Sequence, residues 1–395
     1  MSVTFPRGFR AGGITAGLKP SGNPDLGLLV ADVPGSAAGL FTTNAFAAAP
    51  VRLSRARLAA GTAQAVVVNS GQANAGTGDA GERDAATVTD AVAGRLGVDP
   101  SGVLGCSTGV IGEPVHLERI LAALPELVAS VSPDGGGAFA RSIMTTDTID
   151  KQARAERGGL RVGGCAKGVG MVAPDLATML AFVTTDAPVP PAAVHELATT
   201  VLEPKFESLT VDACSSTNDT VLLFASGAAG GKPVTPGTRV WEELAGAVDE
   251  VGESLLQQLA ADAEGMNHVL VIRVGGASTT EDARRVARAI AESPLVKTAA
   301  FGGDPNPGRI LQAIGSSEAK VVPEDVSVRI GNVPVVVDGV IPPEYFTGGG
   351  DVARVALKDA QVVVSVSLGS GPGDSRVLGC DLSYEYVRIN GEYTT

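Results

Sequence analysis

The sequence predicts an α/β protein (of the α+β type) in which layered sheets are flanked by helices and a smaller α/β domain follows at the C-terminus. Three observations support this fold class. Apolar runs of strand length alternate with stretches of helical periodicity along the whole chain. The 395 residues include 51 glycines, which is typical of abundant tight turns. Hydrophobic residues make up 44% but aromatic residues only 4%, so the core is expected to consist mainly of Ala, Val and Leu.

Apolar patterning places the individual elements. Short apolar runs predict strands over 26–30, 65–69, 103–104, 179–183, 221–224, 268–274, 326–330, 333–337 and 362–366. Apolar residues at three- and four-residue steps predict helices over 83–96, from 116 to about 131, over 190–201, 241–263 and 351–357, and one that begins at a capping box over 278–281. Pro125 is expected to kink or end the second of these helices. Residues 386–395 are expected to form a terminal strand.

Charge and cysteine content exclude several classes of function. The formal net charge is −13 with no compensating basic stripe, which argues against nucleic-acid binding. The cysteines form no CxxC pair and the histidines show no metal-ligand spacing, so we expect neither a metal site nor another cofactor. The N-terminus lacks the apolar core of a signal peptide, and no apolar run reaches about 18 residues. We therefore expect a cytoplasmic protein that does not enter a membrane.

The stretch 166–187 is the strongest candidate for a functional site. A glycine-rich segment with one proline precedes the pair Ala177–Thr178, which leads into an apolar run of strand length. A threonine hydroxyl is a weak nucleophile until a base activates it. If the bond before Thr178 is cut, the new α-amino group, with an ordinary pKa of about 7.7–8.0, becomes that base. Spacing alone is also typical of an ordinary glycine-rich connection, which is the commoner case.

Other polar residues near predicted element ends have both a functional and an ordinary interpretation. Thr108 and Gly109 either offer a hydroxyl and an unhindered N–H to an oxyanion or form a simple turn. Lys167 is either a cation near the substrate or a surface lysine. Glu264 is either a solvated acid at the end of a helix or a partner for a substrate ammonium. Cys214 has no His or Lys near it in sequence that would lower its pKa, which argues against a nucleophilic thiol.

Several strings of the sequence occur together in one known family. They are Lys-Gly-Val-Gly-Met at 167–171, Ala-Thr-Met-Leu at 177–180, Ser-Thr-Gly-Val-Ile-Gly at 107–112, Met-Thr-Thr-Asp at 144–147 and Ser-Thr-Asn-Asp-Thr at 216–220. With these strings, nearly the whole chain resembles the ornithine acetyltransferase family, also called the glutamate N-acetyltransferases. One departure is Pro307, which stands where the family usually has Trp and leaves the role of that loop open.

The resemblance implies self-cleavage between Ala177 and Thr178. The products would be an α chain of 1–177 and a β chain of 178–395, in which 178–277 completes the core and 278–395 forms the C-terminal domain. It also implies a core similar to the N-terminal-nucleophile hydrolases and the L-aminopeptidase/D-amidase group. The residues it assigns are the nucleophile Thr178, the oxyanion-hole pair Thr108 and Gly109, and the substrate-binding residues Thr145, Lys167, Thr178, Glu264, Asn390 and Thr395.

The activity implied by the resemblance is acetyl transfer from N2-acetylornithine to glutamate through an acetyl-threonine intermediate, as a step of arginine biosynthesis. Acetyl-CoA is a further donor that some members of the family use. The family also suggests an assembly of two α and two β chains. One alternative is a self-cleaving amidohydrolase or aminopeptidase that passes the acyl group to water. Another is a non-catalytic binding module, which would remain one uncleaved chain.

Overall fold

A computed structural model describes residues 2–173 and 179–392, and these residues form two compact units. The first unit comprises 2–207 and 214–259, and the second comprises 208–213 and 260–392. Each unit combines a sheet with helices, so the predicted α/β class is confirmed. The predicted cut between Ala177 and Thr178 lies outside the described residues, and the predicted domain limits stay predictions.

The first unit is built on one long mixed sheet. Its strands are β1 (Phe9–Ile14), β2 (Leu26–Phe41), β3 (Thr62–Gln72), β4 (Val103–Val110), β5 (Lys151–Arg157), β6 (Leu160–Lys167), β7 (Leu180–Thr185) and β8 (Thr220–Ala225). Its helices are α1 (Ala49–Arg57), α2 (Gly78–Leu96), α3 (Leu117–Ser130), α4 (Gly136–Ser142), α5 (Pro191–Leu197), α6 (Glu203–Phe206) and α7 (Arg239–Ala261). The strand order is β4-β3-β2-β8-β7-β6-β5, and β1 pairs with β2.

The long strand β2 folds the sheet back on itself. Its first half pairs with β3 and its second half with β8, and the register with β3 shifts after Val30. Apolar side chains from both halves of the sheet share one core, with Leu29 and Val66 from one half and Phe182 and Leu222 from the other. This fold-back brings the C-terminal end of β4 next to the N-terminal end of β8. The oxyanion-hole candidates Thr108 and Gly109 lie at this junction.

Helices cover the outer faces of the folded sheet. On one side, α2 and α3 bury Val92 and Leu124 against Leu28 and Val67 of the sheet. On the other side, α7 lies close to β6 at Gly164, where a Cβ would be 2.9 Å from Cγ1 of Val251. A side chain at residue 164 would therefore push the helix away. The layered sheets flanked by helices that the sequence predicts are confirmed.

The second unit has a smaller sheet with its own core. Its strands are β9 (Val269–Ala277), β10 (Ser327–Ile330), β11 (Val333–Val336), β12 (Gln361–Ser367) and β13 (Gly373–Cys380), in the order β11-β10-β12-β9-β13. Its helices are α8 (Thr280–Glu292), α9 (Pro294–Phe301), α10 (Pro307–Gly315), α11 (Gly349–Ala356) and α12 (Tyr384–Glu392). Ile272, Val286 and Val364 are among the buried residues of its core. Leu209 forms a bridge with Leu378 of β13, so the segment 208–213 belongs to this unit.

The predicted terminal strand is wrong, because residues 384–392 form helix α12. Ser383 precedes this helix, and its Oγ accepts hydrogen bonds from the backbone N–H groups of Glu385 and Tyr386 at 3.1 and 3.2 Å. Arg388 forms an ion pair with Glu385 one turn earlier. A side-chain cap and an ion pair at helical spacing both favour the helix over a strand.

Two details of predicted helices also differ from the structure. Of the two expectations for Pro125, a kink or an end of the helix, the second is wrong: Pro125 lies inside α3, since apolar residues before and after it stay buried and proline removes a single N–H donor. The cap of α8 is Thr279 and not Ser278, because Oγ1 of Thr279 accepts a hydrogen bond from the N–H of Asp282 at 3.0 Å. The helix therefore begins one residue later than the capping-box pattern predicts.

Candidate active site

The two oxyanion-hole candidates lie at the C-terminal end of β4, next to β3. In this parallel pair, Thr108 is opposite Ser70 and Gly109 is opposite Gly71. Gly109 has a φ of 129°, and a Cβ on it would lie 2.3 Å from the carbonyl carbon of Gly71, so only glycine fits. The close approach of the two strands therefore fixes the backbone that carries the Thr108 hydroxyl.

Lys167, the last residue of β6, reaches this hydroxyl. Its Nζ donates a hydrogen bond to Oγ1 of Thr108, and both side chains are buried. An ammonium group can only donate, so the threonine hydroxyl accepts in this contact and keeps its own proton for another acceptor. The contact joins two motifs that lie 59 residues apart in the chain. The arrangement suits a developing oxyanion, because a cation polarises the hydroxyl that would donate to it.

Asp147 is the carboxylate that balances the buried lysines. Its Oδ1 accepts from Nζ of Lys151 at 2.7 Å and from the N–H of Gly168 at 2.9 Å, and its Oδ2 accepts from the N–H of Thr145 at 3.1 Å. Burial tends to raise the pKa of this carboxyl, but the charges of Lys151 and Lys167 and the hydrogen bonds hold it below its ordinary value. Asp147 is therefore ionised, and it fixes the position of Thr145, a predicted substrate contact.

Asn218 holds together the strand ends that form the oxyanion-hole candidate. Its Nδ2 donates to the carbonyl oxygen of Ala73 at 2.6 Å and to that of Ser107 at 2.7 Å. The side chain of Ser107 in turn donates to Oδ1 of Asn69 in β3 at 2.5 Å. Sequence reasoning singled out neither Asn218 nor Asp147 as a site residue. Both lie in strings shared with the family, Ser-Thr-Asn-Asp-Thr and Met-Thr-Thr-Asp, which is the signal that points to them.

Asp219 follows directly and faces the start of β7. Its Oδ1 accepts a hydrogen bond from the backbone N–H of Met179 at 3.0 Å, and its side chain is fully buried. Burial raises the pKa of this carboxyl well above its ordinary value, although the N–H of Met179, the charge of Lys167 and contacts with Ser216 act in the opposite direction. Met179 follows the predicted nucleophile Thr178, which lies outside the described residues together with Ala177.

The second unit brings two of the predicted substrate-binding residues together. Nδ2 of Asn390, on α12, donates to Oε2 of Glu264 at 2.9 Å and to the carbonyl oxygen of Tyr386 at 3.1 Å. Gly265 lies against this helix with a φ of 65°, and a Cβ there would be 2.3 Å from the nitrogen of Tyr386. The amide thus orients the carboxylate of Glu264. Thr395, the remaining predicted contact in this unit, is outside the described residues.

The unusual Pro307 is accommodated at the start of α10. Oδ1 of Asn306 accepts from the N–H of Arg309 at 3.1 Å and caps the helix, which places Pro307 at its first position. Proline is favoured there, because the first N–H groups of a helix have no partner within the helix and the φ of proline suits the helix. The substitution therefore costs the helix no hydrogen bond.

The strand that carries Thr108 and Gly109 also contains a buried cysteine, which is not a candidate nucleophile. Cys106 lies in β4, and burial raises the pKa of its thiol to about 12. Residues 2–173 and 179–392 contain no group of three or more His, Cys, Asp or Glu that could hold a metal ion.

No helix within residues 2–173 and 179–392 has the length and apolarity that a membrane-spanning helix requires.

Comparison with known proteins gives sequence matches over nearly the whole chain and a structural match over about half of it. The model of the ArgJ family matches residues 10–395. The arginine biosynthesis bifunctional protein ArgJ of Thermosynechococcus vestitus is 45% identical, with 100% of this chain and 98% of the relative aligned. The protein of the same name from Thermus thermophilus is 44% identical, with 100% of both chains aligned. A crystal structure of ArgJ from Bacillus halodurans is 37% identical with a TM-score of 0.51, and the match covers 54% of this chain and 98% of that one. This chain belongs to the ArgJ family.

Proposed function

We propose that the chain cleaves itself before Thr178 and then transfers the acetyl group of N2-acetylornithine to glutamate, releasing ornithine and N-acetylglutamate. The observation that carries the proposal is the hydrogen bond from Nζ of Lys167 to Oγ1 of Thr108. This hydrogen bond joins the end of β4, which contains the oxyanion-hole string, to the end of β6, from which the chain leads towards the predicted nucleophile. Relatives aligned over their whole length are named arginine biosynthesis bifunctional proteins, which supports the same activity.

The reaction proceeds in two acyl-transfer steps. The hydroxyl of Thr178 attacks the acetyl carbonyl of N-acetylornithine, and the α-amine of the same residue takes the hydroxyl proton. Thr108, polarised by Lys167, and Gly109 stabilise the negative charge that develops on the carbonyl oxygen. The proton passes to the leaving amine, so ornithine departs and an acetyl-threonine ester remains. Glutamate then attacks this ester with its amine and leaves as N-acetylglutamate.

Two of the proposed substrate-binding residues are charged, and the others are threonines or asparagine. Glu264, oriented by Asn390, supplies a carboxylate for a substrate ammonium. Thr145 keeps its place through the contact of its N–H with Asp147. Lys167 acts through Thr108 in this proposal, and a direct contact with a substrate carboxylate is the second role that the family resemblance implies for it. Thr395 is retained as a substrate contact on the resemblance alone.

The proposal extends to donor, assembly and compartment. Acetyl-CoA is proposed as a second acetyl donor, because the relatives are named bifunctional. The cleaved chains are proposed to assemble as two α and two β chains. A cytosolic location is proposed from the free cysteines, three of which are buried as thiols in the described residues.

Ornithine release separates transfer from hydrolysis. Purified protein is incubated with N-acetylornithine, with and without glutamate, and released ornithine is measured over time. A transferase releases about one equivalent of ornithine per site without glutamate and turns over only when glutamate is present. A self-cleaving amidohydrolase turns over equally in both cases, and that result would replace the proposed transfer by hydrolysis.

A further inference from the structure

Self-cleavage requires a base that the mature enzyme does not need. In the precursor, the nitrogen of Thr178 is part of a peptide bond and has no basic lone pair. The α-amine that activates the hydroxyl after cleavage therefore does not exist when the first bond is cut. Another group must accept the hydroxyl proton in that step.

Asp219 contacts the residue next to the predicted nucleophile and has one carboxylate oxygen to spare. Its Oδ1 accepts from the N–H of Met179 at 3.0 Å, and that nitrogen is bonded to the carbonyl carbon of Thr178. Its Oδ2 has less than 1 Å² of exposed surface and no hydrogen-bond partner among residues 2–173 and 179–392. Buried carboxylate oxygens are normally satisfied, so this one calls for a partner or a function.

The electrostatic environment makes Asp219 a better base than its neighbours. Burial raises its pKa well above the ordinary value, while the N–H of Met179 and contacts with Ser216 act the other way. Among the described residues, the charge that acts on its pKa is that of Lys167 on β6, which also lowers it. A carboxylate with a raised pKa is a stronger proton acceptor near neutral pH. Asp147 is unsuitable, because both of its oxygens accept hydrogen bonds and its pKa is lowered.

We propose that Asp219 is the general base of self-cleavage, a role that rests on the proposed nucleophile Thr178. Asp219 takes the hydroxyl proton of Thr178 as Oγ bonds to the carbonyl carbon of Ala177. The bond from that carbon to the nitrogen of Thr178 breaks, and Asp219 returns the proton to the nitrogen. Water then hydrolyses the new ester, which gives the carboxylate of Ala177 and restores the hydroxyl of Thr178.

The variant Asp219→Asn tests this step, because an amide keeps the Oδ1 acceptor for Met179 but cannot take up the proton. Precursor is synthesised in a cell-free system, and the appearance of the two chains is followed by gel and intact mass. We expect cleavage to slow by about 10²- to 10⁴-fold. Asp219→Glu, which keeps the carboxylate, is expected to recover part of the rate. Cleavage of Asp219→Asn at the wild-type rate would overturn the proposal.

Asp186→Asn is the matched control. Asp186 is also fully buried, its Oδ1 accepts a backbone N–H from Arg161 at 2.9 Å, and its Oδ2 also has no hydrogen-bond partner in the described part of the chain. Arg7 lies 3.7 Å from that oxygen. We expect Asp186→Asn to cleave at the wild-type rate. Equal slowing in both variants would attribute the effect to loss of a buried charge and overturn the assignment to Asp219.

Two further measurements separate a base from a structural residue. The cleavage rate of wild-type precursor is expected to rise with pH as the Asp219 carboxyl ionises, and a rate independent of pH would contradict a titrating base. Hydroxylamine, which cleaves esters, is expected to leave Asp219→Asn uncut because the ester does not form. Release of two chains from this variant by hydroxylamine would place the defect in ester hydrolysis and overturn the proposal.

Failure of this inference is distinguishable from failure of the proposed function. If mature wild-type protein transfers acetyl groups to glutamate while Asp219→Asn cleaves normally, only the role of Asp219 is wrong. If cleavage depends on Asp219 but the mature protein transfers no acetyl group, only the proposed activity is wrong.

Discussion

The side-chain amide of Asn218 donates a hydrogen bond to the carbonyl oxygen of Ser107 at 2.7 Å, although 111 residues separate them in the chain. The same amide nitrogen also holds the carbonyl oxygen of Ala73 at 2.6 Å, so it links the ends of β3 and β4 to the residue pair that precedes β8. Thr108 is the next residue after Ser107. The position of its hydroxyl therefore depends on a residue from a distant part of the sequence.

Asn218→Ala is expected to destabilise the protein and to lower kcat. It leaves the carbonyl oxygens of Ser107 and Ala73 buried without their donor, and each such group costs about 1–3 kcal/mol. We expect urea denaturation to show a free energy of unfolding lower by about 2–6 kcal/mol. Asn44→Ala is the control, since this amide also makes two hydrogen bonds, to the carbonyl oxygen of Ser215 at 3.0 Å and from the N–H of Phe46 at 2.9 Å, but both are exposed to water, so its loss is expected to cost less than about 1 kcal/mol. Equal losses of stability in the two variants would contradict the role of Asn218 in holding the ends of β3 and β4 together.

Lys167→Met is expected to slow chemistry more than it weakens substrate binding. The change removes the donor to the Thr108 hydroxyl at similar volume, and loss of oxyanion stabilisation typically costs about 10²–10³ in kcat. The measurement is the single-turnover release of ornithine by the cleaved fraction of the variant.

Lys205→Met provides the control for charge removal elsewhere in the unit. Lys205 forms ion pairs with Asp249 and Glu253, and its loss is expected to leave single-turnover ornithine release unchanged. A rise in KM for N-acetylornithine with unchanged kcat in Lys167→Met would instead identify Lys167 as a ligand of the substrate.

Asp147→Asn is expected to destabilise the protein in a pH-dependent manner. Burial tends to raise the pKa of this carboxyl, but Lys151 and Lys167 hold it below its ordinary value. Such a group stabilises the folded state above the unfolded-state pKa of about 3.9, and this contribution is lost as the pH falls towards the folded-state pKa. We expect a loss of about 3–5 kcal/mol at pH 7, because the variant breaks a buried ion pair.

The pH dependence of that loss is measured by urea denaturation from pH 7 down to below pH 4. The difference between wild type and Asp147→Asn is expected to shrink below about pH 4, because there the unfolded wild-type chain takes up a proton on this carboxyl that the folded protein does not yet bind. Asp32→Asn is the control, because Asp32 pairs with Arg10 at the surface and such pairs contribute about 0–1 kcal/mol. A loss that stays constant with pH would contradict the ionised state of Asp147.

Local patterns predicted much of the fold, and they failed where two local signals favour different structures. The apolar runs of β3, β7 and β8 and the periodicity of α7 are strong local signals, and these elements lie where the sequence places them. Helix α12 was missed because the cap by Ser383 and the pair of Glu385 with Arg388 outweigh the strand-like composition. The cap and the ion-pair spacing are visible in the sequence, but they compete there with the strand-like composition.

The site could be predicted only through its motifs. Thr108 and Lys167 were both named from the sequence, and the structure places them in contact. The long-range contacts of Asn218 and Asp219 were not predictable, since these partners lie between 40 and 145 residues away and depend on the fold-back of β2. Spacing along the chain contains no information about which buried side chains will meet across a bent sheet.

The central claim is that the bond between residues 177 and 178 is cut and that Thr178 then carries the acetyl group. Intact-mass analysis of the purified wild-type protein and of Thr178→Ala, before and after addition of N-acetylornithine alone, tests it most directly. We expect wild type to consist of two chains that end at Ala177 and begin at Thr178, and the second chain to gain one acetyl group on Thr178. We expect Thr178→Ala to remain one inactive, unacetylated chain. A wild-type protein that is active as one continuous chain, or a Thr178→Ala variant that separates into two chains, would contradict the account.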